Sequence, residues 1–163
     1  MFHRLFRTAD DLGLIATADA HCDIPCKIYD PAVALIAALS VVRMMDVLAE
    51  AASKPAGLER DASIARSVAI KELEAAKVKD EIRVIWGDYF KAPQIEAHPK
   101  VHELTHSIMM CASRCKQGVN RADGEELVEL VNQFAEMFWQ SKGVATERRA
   151  APYPPGIDVV RPA

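Results

Sequence analysis

From Ala32 to about Ala52 the chain is an almost unbroken apolar run, interrupted only by Ser40, Arg43, Asp46 and Glu50. A helix with that pattern is apolar around most of its circumference and needs cover on more than one side. Asp30-Pro31 supplies a side-chain cap followed by a first-turn proline, so the helix is expected to begin there. Arg43 and Asp46 break the run too early for a membrane span of about 20 apolar residues, which leaves sister helices or another subunit as the cover. Lys54-Pro55-Ala56-Gly57 reads as a loop. A second helix is expected from about Arg60 to Arg83, with Ile64, Val68, Leu73, Ala76 and Ile82 as its core face.

The aromatic segment from Val84 to Phe90 runs into Lys91-Ala92-Pro93 and reads as a connection rather than helix interior. A third helix is expected from about Pro99 to Lys116, closed by Gly118, on which Val101, Leu104, Ile108, Cys111, Ala112 and Cys115 form one apolar arc. The fourth carries Asp123 as N-cap, Glu126 after it, Leu127, Leu130, Val131, Phe134, Met137 and Phe138 at helical spacing, and Gly143 just past the end. Short connections between four helices predict an all-α, up-down four-helix bundle over residues 31–146. The tail over 147–163, with Pro152, Pro154, Pro155 and Pro162, is expected to be extended and loosely attached.

The first thirty residues differ. Residues 1–20 carry Arg4 and Arg7, then a short apolar stretch from Leu12, and end in Ala18-Asp19-Ala20, a small-x-small cleavage pattern, so they read as a removable leader. The apolar stretch is too short for a secretory signal or a membrane anchor, and a cytoplasmic protein with no membrane partner is expected. A net charge of −3 argues against nucleic acid as a partner, and 163 residues fit one domain able to bury a core without disulfide or metal props. The four cysteines fall as two local C-x-x-x-C pairs, Cys22/Cys26 and Cys111/Cys115, rather than spread out as a disulfide framework.

Three constellations offer chemistry. Residues 21–30 form a hook, opening with His21-Cys22-Asp23-Ile24-Pro25-Cys26. Cleavage after Ala20 would give this loop a primary amine, an imidazole, two thiolates and the Cys22 backbone amide. Such an N/S set in a plane suits Ni(II) or Cu(II), with nickel favoured, whereas zinc asks for a tetrahedron that so short a hook cannot easily close. The second is His102-Glu103-Leu104-Thr105-His106, an H-E-x-x-H match to zinc metalloproteases with Glu125 and Glu126 as candidate third ligands. At 100° per residue, however, His102 and His106 point away from the apolar arc, outward from the bundle. The third is Cys111/Cys115, which lies on that arc and reads as core packing.

HCDIPCKIYDP resembles the hook of the nickel superoxide dismutase family, H-C-x-x-P-C-G-x-Y-D-P, which directly follows a leader removed by a dedicated protease. The resemblance extends to VIWGDYFKAP at Val84–Pro93 and to Phe138-Trp139-Gln140-Ser141-Lys142. It implies a four-helix-bundle subunit of a homohexamer that disproportionates superoxide to dioxygen and hydrogen peroxide by Ni(II)/Ni(III) cycling. It further implies Cys22 and Cys26 as thiolate ligands, the Cys22 amide and the His21 amine as the other planar donors, and the His21 imidazole as the axial ligand of the oxidised state. Tyr29 and Tyr89 match the family's two tyrosines beside the open face, and Asp23 and Lys91 match polar residues near them. Lys27 stands where the family has glycine. Ala37 and Glu74 stand where the family has the glutamate and the arginine that hold the axial imidazole, and Glu74 is a candidate to accept the imidazole N–H itself. The rival readings are a nickel- or copper-binding storage or delivery protein without turnover, and the zinc metalloprotease.

Overall fold

A computed structural model of the protein describes residues 27–163. The expectations placed on the leader and on His21, Cys22, Asp23 and Cys26 lie outside the described residues. Helix α1 spans Ala32–Ala52, bounded as its apolar run predicts. The Asp30 carboxylate accepts the Ala32 N–H at 2.8 Å, which satisfies one of the donors that a helix start leaves without a partner. α1 is long and apolar enough to cross a membrane by length and composition. Here it packs against both α2 (Leu58–Val84) and α5 (Arg121–Ser141). Its alanines Ala34, Ala37 and Ala38 are completely buried, and Gly124 of α5 makes a second close approach possible. A Cβ at Gly124 would stand 3.0 Å from Val42 and 3.1 Å from Met45.

α4 (Val101–Gln117) closes the ring of four by packing on α5 and α2. It buries the whole predicted arc from Val101 to Cys115 and leaves His102 and His106 exposed. Phe134 and Phe138 of α5 fill the centre with Ile82 of α2 and Ile108 of α4, all fully buried. α5 starts three residues earlier than its expected cap: Asn120, not Asp123, accepts from the Ala122 N–H. Asp123 and Glu126 instead share Arg114 of α4, at 3.2 and 2.6 Å, tying the two helices together across their connection.

α2 departs most from expectation. Its buried face is Ser67, Lys71, Ala75, Val78 and Ile82, while Leu73 is 67% exposed. Small side chains let α1 come close along this face, and Lys71 is buried because it has a task there. Its ammonium donates to the carbonyls of Cys115, Lys116 and Gly118, capping the C-terminal end of α4. The aromatic segment expected as a connection continues α2 through a π-helical turn at Ile85–Tyr89, closed by Phe90 N–H donating to Ile85 O. A short helix, α3 (Ala92–Ala97), leads from it into α4.

The proline-rich tail is a docked hairpin rather than a loose end. β1 (Thr146–Ala150) pairs antiparallel with β2 (Asp158–Pro162), placing Arg148 opposite Val160. Ala151, Val159 and Val160 are buried. Asn132 of α5, itself buried, donates to Asp158 O at 2.8 Å and accepts from Val160 N–H at 2.9 Å, acting as a one-residue partner for the outer edge of β2. Arg148 binds Glu129 at 2.6 Å and Glu136 at 2.7 Å on the same face of α5.

Candidate metal centre

The described chain begins at Lys27, two residues before Tyr29. Lys27 has φ 60°, the left-handed conformation in which a side chain costs about 1–2 kcal/mol. Lys27 thus adopts a backbone conformation that glycine would take up freely. Tyr29, half-buried, sets its ring 6.0 Å from that of Tyr89 at an interplanar angle of 55°.

Tyr89 reaches this position because the π-helical turn ends α2. Its last residues fan out: Phe90 turns into the core against Phe134 at 5.6 Å, and Tyr89 packs edge-on to Phe90 at 5.2 Å and against Phe138 at 4.8 Å. An i→i+5 turn of this kind inserts one extra residue and re-aims the side chains that follow. The end of α5 completes the wall. Ser141 Oγ lies 2.7 Å from the Tyr89 hydroxyl, and the Lys142 ammonium stands 5.1 Å from the Tyr89 ring centroid and 5.0 Å from that of Phe138. Lys91 is exposed and folds back to donate to Gly87 O at 2.7 Å. While the Lys91 ammonium is engaged at Gly87 O, the fold brings together Tyr29 and Tyr89 with two residues to which the sequence assigned no role, Ser141 and Lys142. Their only sequence signal is membership of the Phe138–Lys142 segment.

Ala37 is completely buried on α1, so nothing polar is offered from its position. Glu74 on α2 is partly exposed and makes no hydrogen bond or ion pair with the described residues.

The competing constellations do not form sites. Trp86 Nε1 donates to His102 Nδ1 at 2.9 Å, with the rings edge-on. A neutral imidazole accepting at Nδ1 carries its proton on Nε2, so neither ring nitrogen has a lone pair left for a metal. Cys111 and Cys115 are fully buried, and Cys111 Sγ donates to Asp123 O at 3.2 Å. Hydrogen bonding to Cys115, followed by burial, raises the Cys111 pKa, and the same contact lowers that of Cys115, so the pair holds a proton between them rather than offering two thiolates to a metal. Among the described residues no group of three or more His, Cys, Asp or Glu side chains is placed to hold a metal ion.

Comparison with known proteins bears on the part of the chain that carries the hook. The family described as nickel-containing superoxide dismutase matches residues 16–142. Superoxide dismutase [Ni] of Streptomyces coelicolor is 35% identical over 126 residues, covering 77% of this chain and 91% of that protein. The Streptomyces seoulensis protein of the same name is also 35% identical, over 76% of this chain and 88% of its own. A native crystal structure of nickel superoxide dismutase superposes with a TM-score of 0.67 at 34% identity, over 75% of this chain and 99% of that one. The oxidised-state structure gives 0.68 at 32% identity. The match stops at residue 142, so the hairpin lies beyond it. Running from residue 16 through His21–Cys26 to the end of α5, it places this chain in the nickel-containing superoxide dismutase family.

Proposed function

We propose that the protein, once cut after Ala20, is a nickel-dependent superoxide dismutase that converts two superoxide ions and two protons to dioxygen and hydrogen peroxide. The observation that carries this reading is a family match whose span, residues 16–142, includes His21–Cys26, in a chain whose fold sets Tyr29 against Tyr89. The donor set fits the metal: amine, ionised amide and two thiolates are strong donors of the number and kind that a planar nickel site takes. His21, Cys22 and Cys26 would hold the ion, which supplies a one-electron couple between Ni(II) and Ni(III). The protein's own part is to restrict and wet the approach through Tyr29 and Tyr89, a task to which Asp23 and Lys91 would add polar groups. Lys27 and Lys91 add positive charge where an anion must enter.

Assembly as a homohexamer is part of the proposal. It is supported by apolar side chains left uncovered on α1 and α2, where Val33, Ile36, Ile70 and Leu73 are exposed. A leader-removing protease and a cytoplasmic location complete it. The metal-carrier reading is less well supported, since both named relatives are dismutases.

The test compares nickel-loaded protein beginning at His21 with protein beginning at Ala20. With Ala20 attached, the residue-21 nitrogen is a planar amide and no longer an amine donor. Superoxide decay by pulse radiolysis and the Ni(III) signal in electron paramagnetic resonance should be present in the first form and absent from the second. Equal activity in both would remove the hook from the reaction.

A further inference from the structure

Ser141 has a single hydroxyl proton, and its surroundings decide where that proton goes. Ser141 Oγ lies 2.6 Å from the carbonyl oxygen of Phe138, which can only accept, and 2.7 Å from the Tyr89 hydroxyl. With its proton on Phe138 O, Ser141 must accept in the second bond, so Tyr89 donates. The phenol also has one proton. Spent on Ser141, it leaves the lone pairs of the Tyr89 oxygen as the groups available to anything else that approaches. The ring cannot easily swing to change this, because it is packed against Phe90, Phe138 and Tyr29 and lies under the Lys142 ammonium.

We propose that Ser141 is a positioning residue that turns the Tyr89 proton away from the substrate, so that Tyr89 meets incoming ligands as a hydrogen-bond acceptor. The inference rests on the dismutase reading for its functional meaning, but not for its geometry. A phenol that donated toward the metal would bind anions, superoxide and inhibitors alike, and slow their exchange. A phenol that accepts orders water, which donates to it, and leaves an anion without that anchor. The chain Tyr89 to Ser141 to Phe138 ends on a carbonyl that has no proton to pass on. It is therefore a lock on orientation and not a proton relay, and the two protons of hydrogen peroxide must come from elsewhere.

The first measurement needs no nickel. In metal-free protein labelled with carbon-13 at tyrosine Cζ, and assigned with Tyr89→Phe, the Tyr89 resonance should move on Ser141→Ala toward that of exposed Tyr153. Ser141→Thr, which restores a hydroxyl, should return it. The second measurement is azide inhibition of the nickel-loaded enzyme. Ser141→Ala frees the phenol proton to donate to the anion, so azide should inhibit more tightly by about tenfold or more, the worth of one hydrogen bond to a charged group. Ser141→Thr should match the wild type, and Tyr89→Phe in the Ser141→Ala background should abolish the gain. A purely structural role for Ser141 would weaken inhibition or leave it alone. An unmoved Tyr89 resonance in Ser141→Ala, or azide inhibition that does not tighten, would overturn the proposal. A wild type without dismutase activity whose Tyr89 resonance still follows Ser141 would sink the dismutase reading while upholding the orientation.

Discussion

Replacing Lys71 by methionine keeps the length of the side chain and removes its three donors. Lys71 is 1% exposed, and its ammonium serves the carbonyls of Cys115, Lys116 and Gly118. The last turn of a helix has no backbone donors of its own for such carbonyls. In Lys71→Met the Cys115 oxygen, in the buried part of the cluster, is left without a partner at about 1–3 kcal/mol. The Lys116 and Gly118 oxygens are partly buried and can recruit water, so each loses about 0.5–1.5 kcal/mol. Against this stands the cost of burying an ammonium, which lowers the Lys71 pKa by desolvation, with Glu72 and Cys115 opposing, and which methionine avoids. The net expectation is a loss of about 2–4 kcal/mol, or about 5–15 °C in Tm for a chain of this size. Urea unfolding of metal-free protein, followed by far-ultraviolet circular dichroism, measures it at fixed protein concentration. Hydrogen exchange should show the last turn of α4 opening first. A Lys71→Met protein as stable as wild type would mean that the desolvation of the ammonium outweighs its three bonds, and the capping argument would fail.

Lys27→Gly should raise stability by about 0.5–1 kcal/mol in the same urea assay, by relieving the left-handed strain net of glycine's entropy cost. It should also weaken the dependence of the rate on ionic strength, and an unchanged salt dependence would deny Lys27 any part in attracting the anion. His102→Ala combined with His106→Ala should leave nickel content and dismutase activity intact, while loss of the Trp86 hydrogen bond alters tryptophan fluorescence; loss of metal would revive the protease reading. Glu74→Gln should cost about tenfold or more in activity and alter the nitrogen hyperfine structure of the Ni(III) spectrum, and an unchanged rate and spectrum would deny Glu74 any part in orienting the His21 imidazole. Hairpin docking should depend on acid: bonding to Arg148 lowers the Glu129 pKa below its ordinary 4.5, so its contribution is present above that value and lost as pH falls through the folded one. Protection of the amides of residues 146–162, relative to their intrinsic exchange at each pH, should fall over that interval in wild type, and Glu129→Gln should remove the transition.

Elements whose own composition demands one environment were legible in the sequence. α1 is apolar nearly all round and is preceded by Asp30-Pro31, so its bounds and its burial follow from local chemistry. α4 is strongly amphipathic, and its arc correctly separated the buried cysteines from the outward histidines. α2 was not legible, because its partners choose its buried face. Ser67 and Ala75 are inside because α1 must come close, and Lys71 is inside because a neighbouring helix ends there, so the apolar residues that looked like a stripe, Leu73 above all, are partly left outside. The hairpin was missed for the same reason. Nothing in residues 146–162 alone says that Asn132, Glu129 and Glu136 lie along one ridge of α5, ready to pair with a strand edge and with Arg148.

The tyrosine wall divides along the same line. Tyr29 and Tyr89 could be singled out by motif, because each sits in a recognisable segment. What Tyr89 can do is decided by Ser141, which reaches it across 52 positions of chain, and by the Phe138 carbonyl that claims the Ser141 proton. A motif identifies which side chain is present, but a hydroxyl's role depends on which neighbour takes its proton, and that neighbour is set only when the π-helical turn and the end of α5 meet. The same logic applies to His102, whose pairing in sequence suggests a metal ligand until Trp86 occupies the nitrogen that matters. In both cases the chemistry is settled by where one proton lies, which only the folded arrangement determines.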